Sequence, residues 1–71
     1  MSKFRIVIAS LPDRERVVAE ILYNNMHWVE ISHEGEDPVI QFYPHPHEEC
    51  WEFSCDEALK ALEQAKTKLL N

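Results

Sequence analysis

From the N-terminus to Phe53 the chain alternates short apolar runs with turn-forming residues, and after Ser54 the apolar spacing becomes helical. Phe4 to Ala9 reads Phe-Arg-Ile-Val-Ile-Ala and ends at Ser10-Leu11-Pro12-Asp13. A β-branched run bounded by turn chemistry predicts a strand. Arg16 to Ser32 fits two periods. Val17, Val18, Ile21 and Leu22 share one face of a helix that Pro12 and Asp13 would start. Val17, Ala19, Ile21 and Tyr23 also alternate as in a strand. Asn24-Asn25 favours the strand reading, because asparagine tolerates the left-handed backbone that two-residue hairpin turns require. Met26 to Ser32 follows with Trp28, Val29 and Ile31, which suit strands. The expectation is a hairpin across Asn24-Asn25, with a helix over residues 13–25 as the alternative.

A regular two-residue hairpin would pair Tyr23 with Met26, Ile21 with Trp28 and Ala19 with Glu30 on one face. The other face would carry Leu22 with His27, Glu20 with Val29 and Val18 with Ile31. Gly35 lies in the polar turn His33-Glu34-Gly35-Glu36-Asp37-Pro38. Val39 to Tyr43 reads as the next strand, with Val39, Gln41 and Tyr43 on one side and Ile40 and Phe42 on the other. Pro44 and Pro46 end it. Trp51-Glu52-Phe53 is expected to be a short extended segment returning to the body. Ser54 and Glu57 form a capping box for a helix to Leu70, with Asp56 and Glu57 in its first turn and Lys66 and Lys68 near its end. Ala58, Leu59, Leu62, Ala65 and Leu69 make its apolar stripe, and the alanines imply close approach to a sheet. The predicted architecture is α+β: an antiparallel meander of about four strands with one C-terminal helix across one face.

Composition sharpens this into one domain, residues 1–71. A chain this short leaves little volume for a deep, water-excluded active site. With 45% apolar residues and two tryptophans it can still build a core without staples. The net charge of −6 argues against nucleic acid and anionic membranes as ligands, and favours a basic protein partner. Lys3 and Arg5 interrupt the first apolar run, so neither a signal peptide nor a membrane span is expected there, and a cytoplasmic location follows. Cys50 and Cys55 are then expected to be reduced, free and partly buried.

Three sets of residues could carry chemistry. His45, His47, Glu48, Glu49, Cys50 and Cys55 are of metal-ligating type, but their spacing matches no zinc pattern, so the expectation is a polar proline-stiffened loop with no metal or other cofactor. Cys55 near a helix N-terminus has one ingredient of a reactive thiol. No oxyanion loop accompanies it, and the single glycine argues against tight backbone approach to a substrate, so no enzyme activity and no catalytic residue are expected. The aromatic residues are the third set. If one helix covers one sheet face, the other face should leave an apolar and aromatic strip exposed. Tyr23, Trp28 and Tyr43, rimmed by Glu30, Glu34, Glu48 and Glu49, are therefore the expected partner-binding residues.

Two longer patterns resemble a known group. One is Asp13-Arg14-Glu15-Arg16-Val17-Val18-Ala19-Glu20-Ile21 with Trp28-Val29-Glu30-Ile31 and Glu34; the other is Val39-Ile40-Gln41-Phe42-Tyr43-Pro44 leading to Trp51-Glu52-Phe53 and Asp56-Glu57-Ala58-Leu59. They resemble very short bacterial proteins, some of which look like immunity proteins that neutralise secreted toxins. The resemblance implies a cytoplasmic inhibitor that binds its toxin directly, and it carries over no site residues. A self-associating homodimeric domain and a small metal-binding protein centred on His45, His47 and Cys50 are the alternatives.

Overall fold

A computed structural model describes residues 3–71; the first two positions of the expected 1–71 domain lie outside the described residues. Strands β1 (Phe4–Ala9), β2 (Val18–Tyr23), β3 (Met26–Ser32) and β4 (Val39–Phe42) are followed by helix α1 (Cys55–Leu70). The strands form one antiparallel sheet in the order β1-β2-β3-β4, so each pairs with its neighbour in sequence. This is the expected α+β meander, and the helical alternative for residues 13–25 is excluded.

The hairpin turn has the backbone its residues predict. Asn24 and Asn25 both have positive φ, 52° and 67°. That pair of left-handed residues gives the turn whose twist matches the flanking strands. The capping box is also formed: the Ser54 hydroxyl accepts from the Glu57 amide at 3.3 Å. The stripe of α1 differs by one residue from the expected one. Ala61 and Ala65 are buried on the sheet, with Ala58, Leu62 and Leu69 partly buried beside them. Leu59 points away and is 56% exposed.

The expected hairpin register holds only next to the turn. Tyr23 faces Met26 and Leu22 faces His27, but Ile21 faces Val29, Glu20 faces Glu30 and Ala19 faces Ile31. Trp28 is left without a partner on β2 and forms a β-bulge. A one-residue slip transfers every following side chain to the opposite face. Val29 and Ile31 therefore join Ala19, Ile21, Ala61 and Ala65 in the core under α1, and Glu30 moves out of it. Without the bulge a carboxylate would sit beneath the helix, where burial without a partner is costly.

Trp28 itself turns into the core and is 6% exposed. Its ring lies 5.4 Å from Phe4 and 4.9 Å from Phe53, and Phe4 and Phe53 each lie close to Tyr23, at 4.8 Å. Tilted and edge-on pairs of this kind contribute about 0.5–1.5 kcal/mol each beyond area burial. Residues 51–53 lie outside the sheet and return the chain to the body as expected, with Trp51 and Phe53 packed against the core. α1 packs on β1 and β2, less on β3, and does not reach β4. Among the described residues no helix is long and apolar enough to cross a membrane.

The turn gives a direct test. Asn25→Gly should raise stability in urea unfolding by about 0.5–1 kcal/mol, because glycine adopts positive φ without a Cβ clash. Asn25→Val should lower it by about 1–2 kcal/mol.

Candidate functional site

The seven residues expected to bind a partner do not share one surface. Tyr23 and Trp28 belong to the aromatic cluster on the helix side. Trp28 is buried on the face that α1 covers, so it cannot be the centre of an exposed patch. Glu30 and Tyr43 lie on the opposite face of the sheet, where Glu30 is only 3% exposed. Glu34, Glu48 and Glu49 are exposed in the segments that flank β4.

Glu30 is the hub of a polar cluster. Arg14 donates to its Oε2 at 2.8 Å, and the Tyr43 hydroxyl donates to its Oε1 at 3.0 Å. The same Arg14 nitrogen donates to Gln41 at 2.8 Å. These bonds hold the β1–β2 loop across the second face of the sheet, because Arg14 precedes β2 yet reaches β3 and β4. The Glu15 amide donates to Glu34 and Arg16 donates to the His33 carbonyl, which ties the same loop to the β3–β4 loop. Val18 and Leu22 are buried on this face without help from α1. The expected bare second face is therefore partly closed. Glu20 sits directly across from Glu30, and opposing like charges are unfavourable. Each has its own relief: Arg14 for Glu30, and His27 at 3.5 Å for Glu20 when the imidazole is protonated. Partial burial and the hydrogen bond to the Glu30 carboxylate raise the Tyr43 pKa above its usual value, and the Glu20 charge adds to this.

The loop after β4 folds on its own contacts. His45 Nδ1 accepts from the amides of His47 and Glu48, each at 3.0 Å, and the His45 ring packs at a tilt against Trp51, 4.6 Å between centroids. Trp51 Nε1 donates to the Tyr43 carbonyl at 2.8 Å. His45 thus spends one ring nitrogen on the turn itself. Among the described residues, no three His, Cys, Asp or Glu side chains are grouped as metal ligands. Cys50 and Cys55 are free, as expected, but both are exposed. One lies in the loop and the other begins α1 outside its apolar stripe.

Three exposed apolar residues lie together on β4, which sequence reasoning did not single out, while Ile8, Val17 and Leu70 are exposed elsewhere. Val39 is 54%, Ile40 42% and Phe42 62% exposed. Ile40 faces Ile31 and Phe42 faces Val29, so both side chains are on the helix side of the sheet. Because α1 stops short of β4, a groove of about 270 Å³ remains between them, lined by Ile31, Pro38, Val39, Ile40, Leu62, Glu63 and Lys66. Leu59 adds exposed apolar surface on α1. A signal for this was present in the sequence: Ala58, Ala61, Leu62, Ala65 and Leu69 already make a complete stripe, and Leu59 falls outside it.

The polar cluster generates two predictions. Arg14→Ala leaves Glu30 buried and short of its cation, and should cost about 3 kcal/mol in chemical unfolding. A combined Arg14→Met, Glu30→Leu variant should recover most of that loss, since a packed apolar pair often replaces a buried ion pair without penalty. The second concerns alkali. A phenol whose pKa is raised by folding contributes stability that is complete below its unfolded value of about 10 and is lost as pH rises through the folded value. Phenolate absorbance should show Tyr43 titrating above 10, and Tyr43→Phe should remove that component of alkaline destabilisation.

Comparison with known proteins gives no matching family model, no matching curated protein and no matching solved structure.

Proposed function

We propose that this chain is an acidic protein-binding domain of the immunity or antitoxin-like kind, which acts in the bacterial cytoplasm by binding a basic toxin directly. The observation that carries this reading is the pairing of an exposed apolar strand, β4, with an acidic surround. Val39, Ile40 and Phe42 are exposed on β4. Glu34, Glu36 and Asp37 precede the strand, and Glu48, Glu49 and Glu52 follow it, all exposed. An apolar centre with a charged rim is the usual anatomy of a protein interface. Opposite charge speeds encounter with a basic protein and repels nucleic acid.

Binding, rather than catalysis, also suits the arrangement of the polar residues. The most buried carboxylate, Glu30, is committed to Arg14 and Tyr43. The His45 Nδ1 is committed to backbone amides.

The test is association of the purified chain with the protein encoded beside it. Calorimetry or surface binding should show a complex whose Kd weakens about tenfold or more between roughly 0.05 and 0.5 M salt, as expected for a contact steered by opposite charge. An absence of binding at low salt to every neighbouring gene product would sink the proposal.

A further inference from the structure

We propose that the partner binds by adding a strand to the open edge of β4, and that the added segment carries apolar side chains at alternate positions between basic ends. This rests on the protein-binding reading above and specifies its contact.

The backbone phase of β4 sets the geometry. The Tyr43 amide donates to the Trp28 carbonyl, which makes that opposed pair a hydrogen-bonded one. Hydrogen-bonded and open pairs alternate along an antiparallel ladder. Gln41 opposite Glu30 is then a bonded pair as well, and Ile40 and Phe42 are not. The N–H and C=O groups of Ile40 and Phe42 therefore point out of the sheet. Among the described residues no further strand pairs with them. Pro38 and Pro44 stand at the two ends of the strand and cannot donate. The edge is reduced to a window of two residues. Such a window resists indiscriminate sheet growth, which proline at an edge prevents. It can still receive a short strand held by main-chain bonds, with side-chain pockets setting the choice of ligand.

The side chains beside that window are apolar. Ile40 and Phe42 project on the helix side; Ile40 lines the groove whose far wall includes Leu62, and Phe42 lies beside Trp28. Alternate residues of an added strand would point the same way and fill that groove.

Charge selects the occupant. Between Arg16 and Lys60 there is no Lys or Arg, while ten of the thirteen Asp and Glu fall in that interval. Both ends of β4 are therefore acidic. A second copy paired antiparallel through β4 would set the acidic end of one strand against the acidic end of the other, which is repulsive. The other open edge, β1, differs: its groove against α1 contains three cations, Arg5, Lys60 and Lys68, and one carboxylate, Glu57, whereas the β4 groove has one of each, Lys66 and Glu63. The apolar, acid-flanked edge is β4, and it fits a segment with cationic flanks.

The probe is a synthetic peptide, Lys-Lys-Val-Thr-Ile-Thr-Val-Lys-Lys, with a Glu-flanked version as control. Amide exchange followed by NMR should show the Ile40 and Phe42 amides slowed about tenfold or more by the Lys-flanked peptide and unchanged by the control. Ile40→Pro removes an outward donor without removing a bond to β3, and should weaken peptide binding at least about tenfold. The paired exposed change Glu48→Lys with Glu49→Lys should weaken it with no effect on folding. Two results overturn the proposal: no protection by the Lys-flanked peptide, or protection that grows with protein concentration alone, which would mean a second copy occupies the edge. If the neighbouring gene product binds the wild type and Ile40→Pro equally, strand addition fails while the protein-binding reading stands. If it binds neither, that reading fails first.

Discussion

The missing β2 partner of Trp28 determines how the two faces of this sheet are divided. One extra residue in β3 places Val29 and Ile31 under the helix and sends Glu30 to the other side. Every later assignment on β3 and β4 follows from that offset. Ile40 and Phe42 inherit the helix side from Ile31 and Val29, and Gln41 inherits the other side from Glu30. The bulge also aims the indole at Phe4 and Phe53, so the irregularity that displaces Glu30 supplies the largest ring of the core.

Once Glu30 lies on the second face it requires a cation, and Arg14 provides it from a loop that the Glu15–Glu34 and Arg16–His33 bonds also hold back. The contact closes part of a face that α1 cannot cover. Its cost is specialised geometry: a nearly buried carboxylate, a guanidinium shared with Gln41 and a phenol whose proton is retained. Among the described residues Arg14 Nε is buried with no bonding partner, so even this cluster is not fully satisfied. The helix and the loop together leave β4 as the least covered strand.

The elements themselves were legible because they rest on local chemistry. Asn24-Asn25 encodes its turn, Ser54 and Glu57 encode the helix start, and Pro44 ends the last strand, each through effects within a few residues. The distribution of side chains between faces was not legible, because a bulge is decided by the whole sheet. Strict alternation through Trp28 is locally acceptable and fails only because it would bury Glu30 beneath α1. That one offset misplaced Tyr43 as a neighbour of Trp28, whereas Trp28 was misplaced because the face it shares with Ile21 is the one α1 covers. The acidic residues Glu34, Glu48 and Glu49 were placed correctly at the surface, since exposed charge needs no long-range information. The exposed edge of β4 was hidden for a different reason. Its Val, Ile and Phe look like core residues, and only the width of the helix relative to the sheet reveals that they are uncovered.

The order β1-β2-β3-β4 has a consequence for how the molecule assembles. Each strand needs only its sequence neighbour, so no strand must wait for a distant segment to arrive. The loop joining β2 and β3 is two residues long, and closing it loses little chain entropy. Topologies dominated by such local pairing fold faster than sandwiches or crossed sheets of equal stability. β4 gains its one partner as soon as the β3–β4 hairpin forms, so what stays available to another chain afterwards is the outer edge guarded by Pro38 and Pro44.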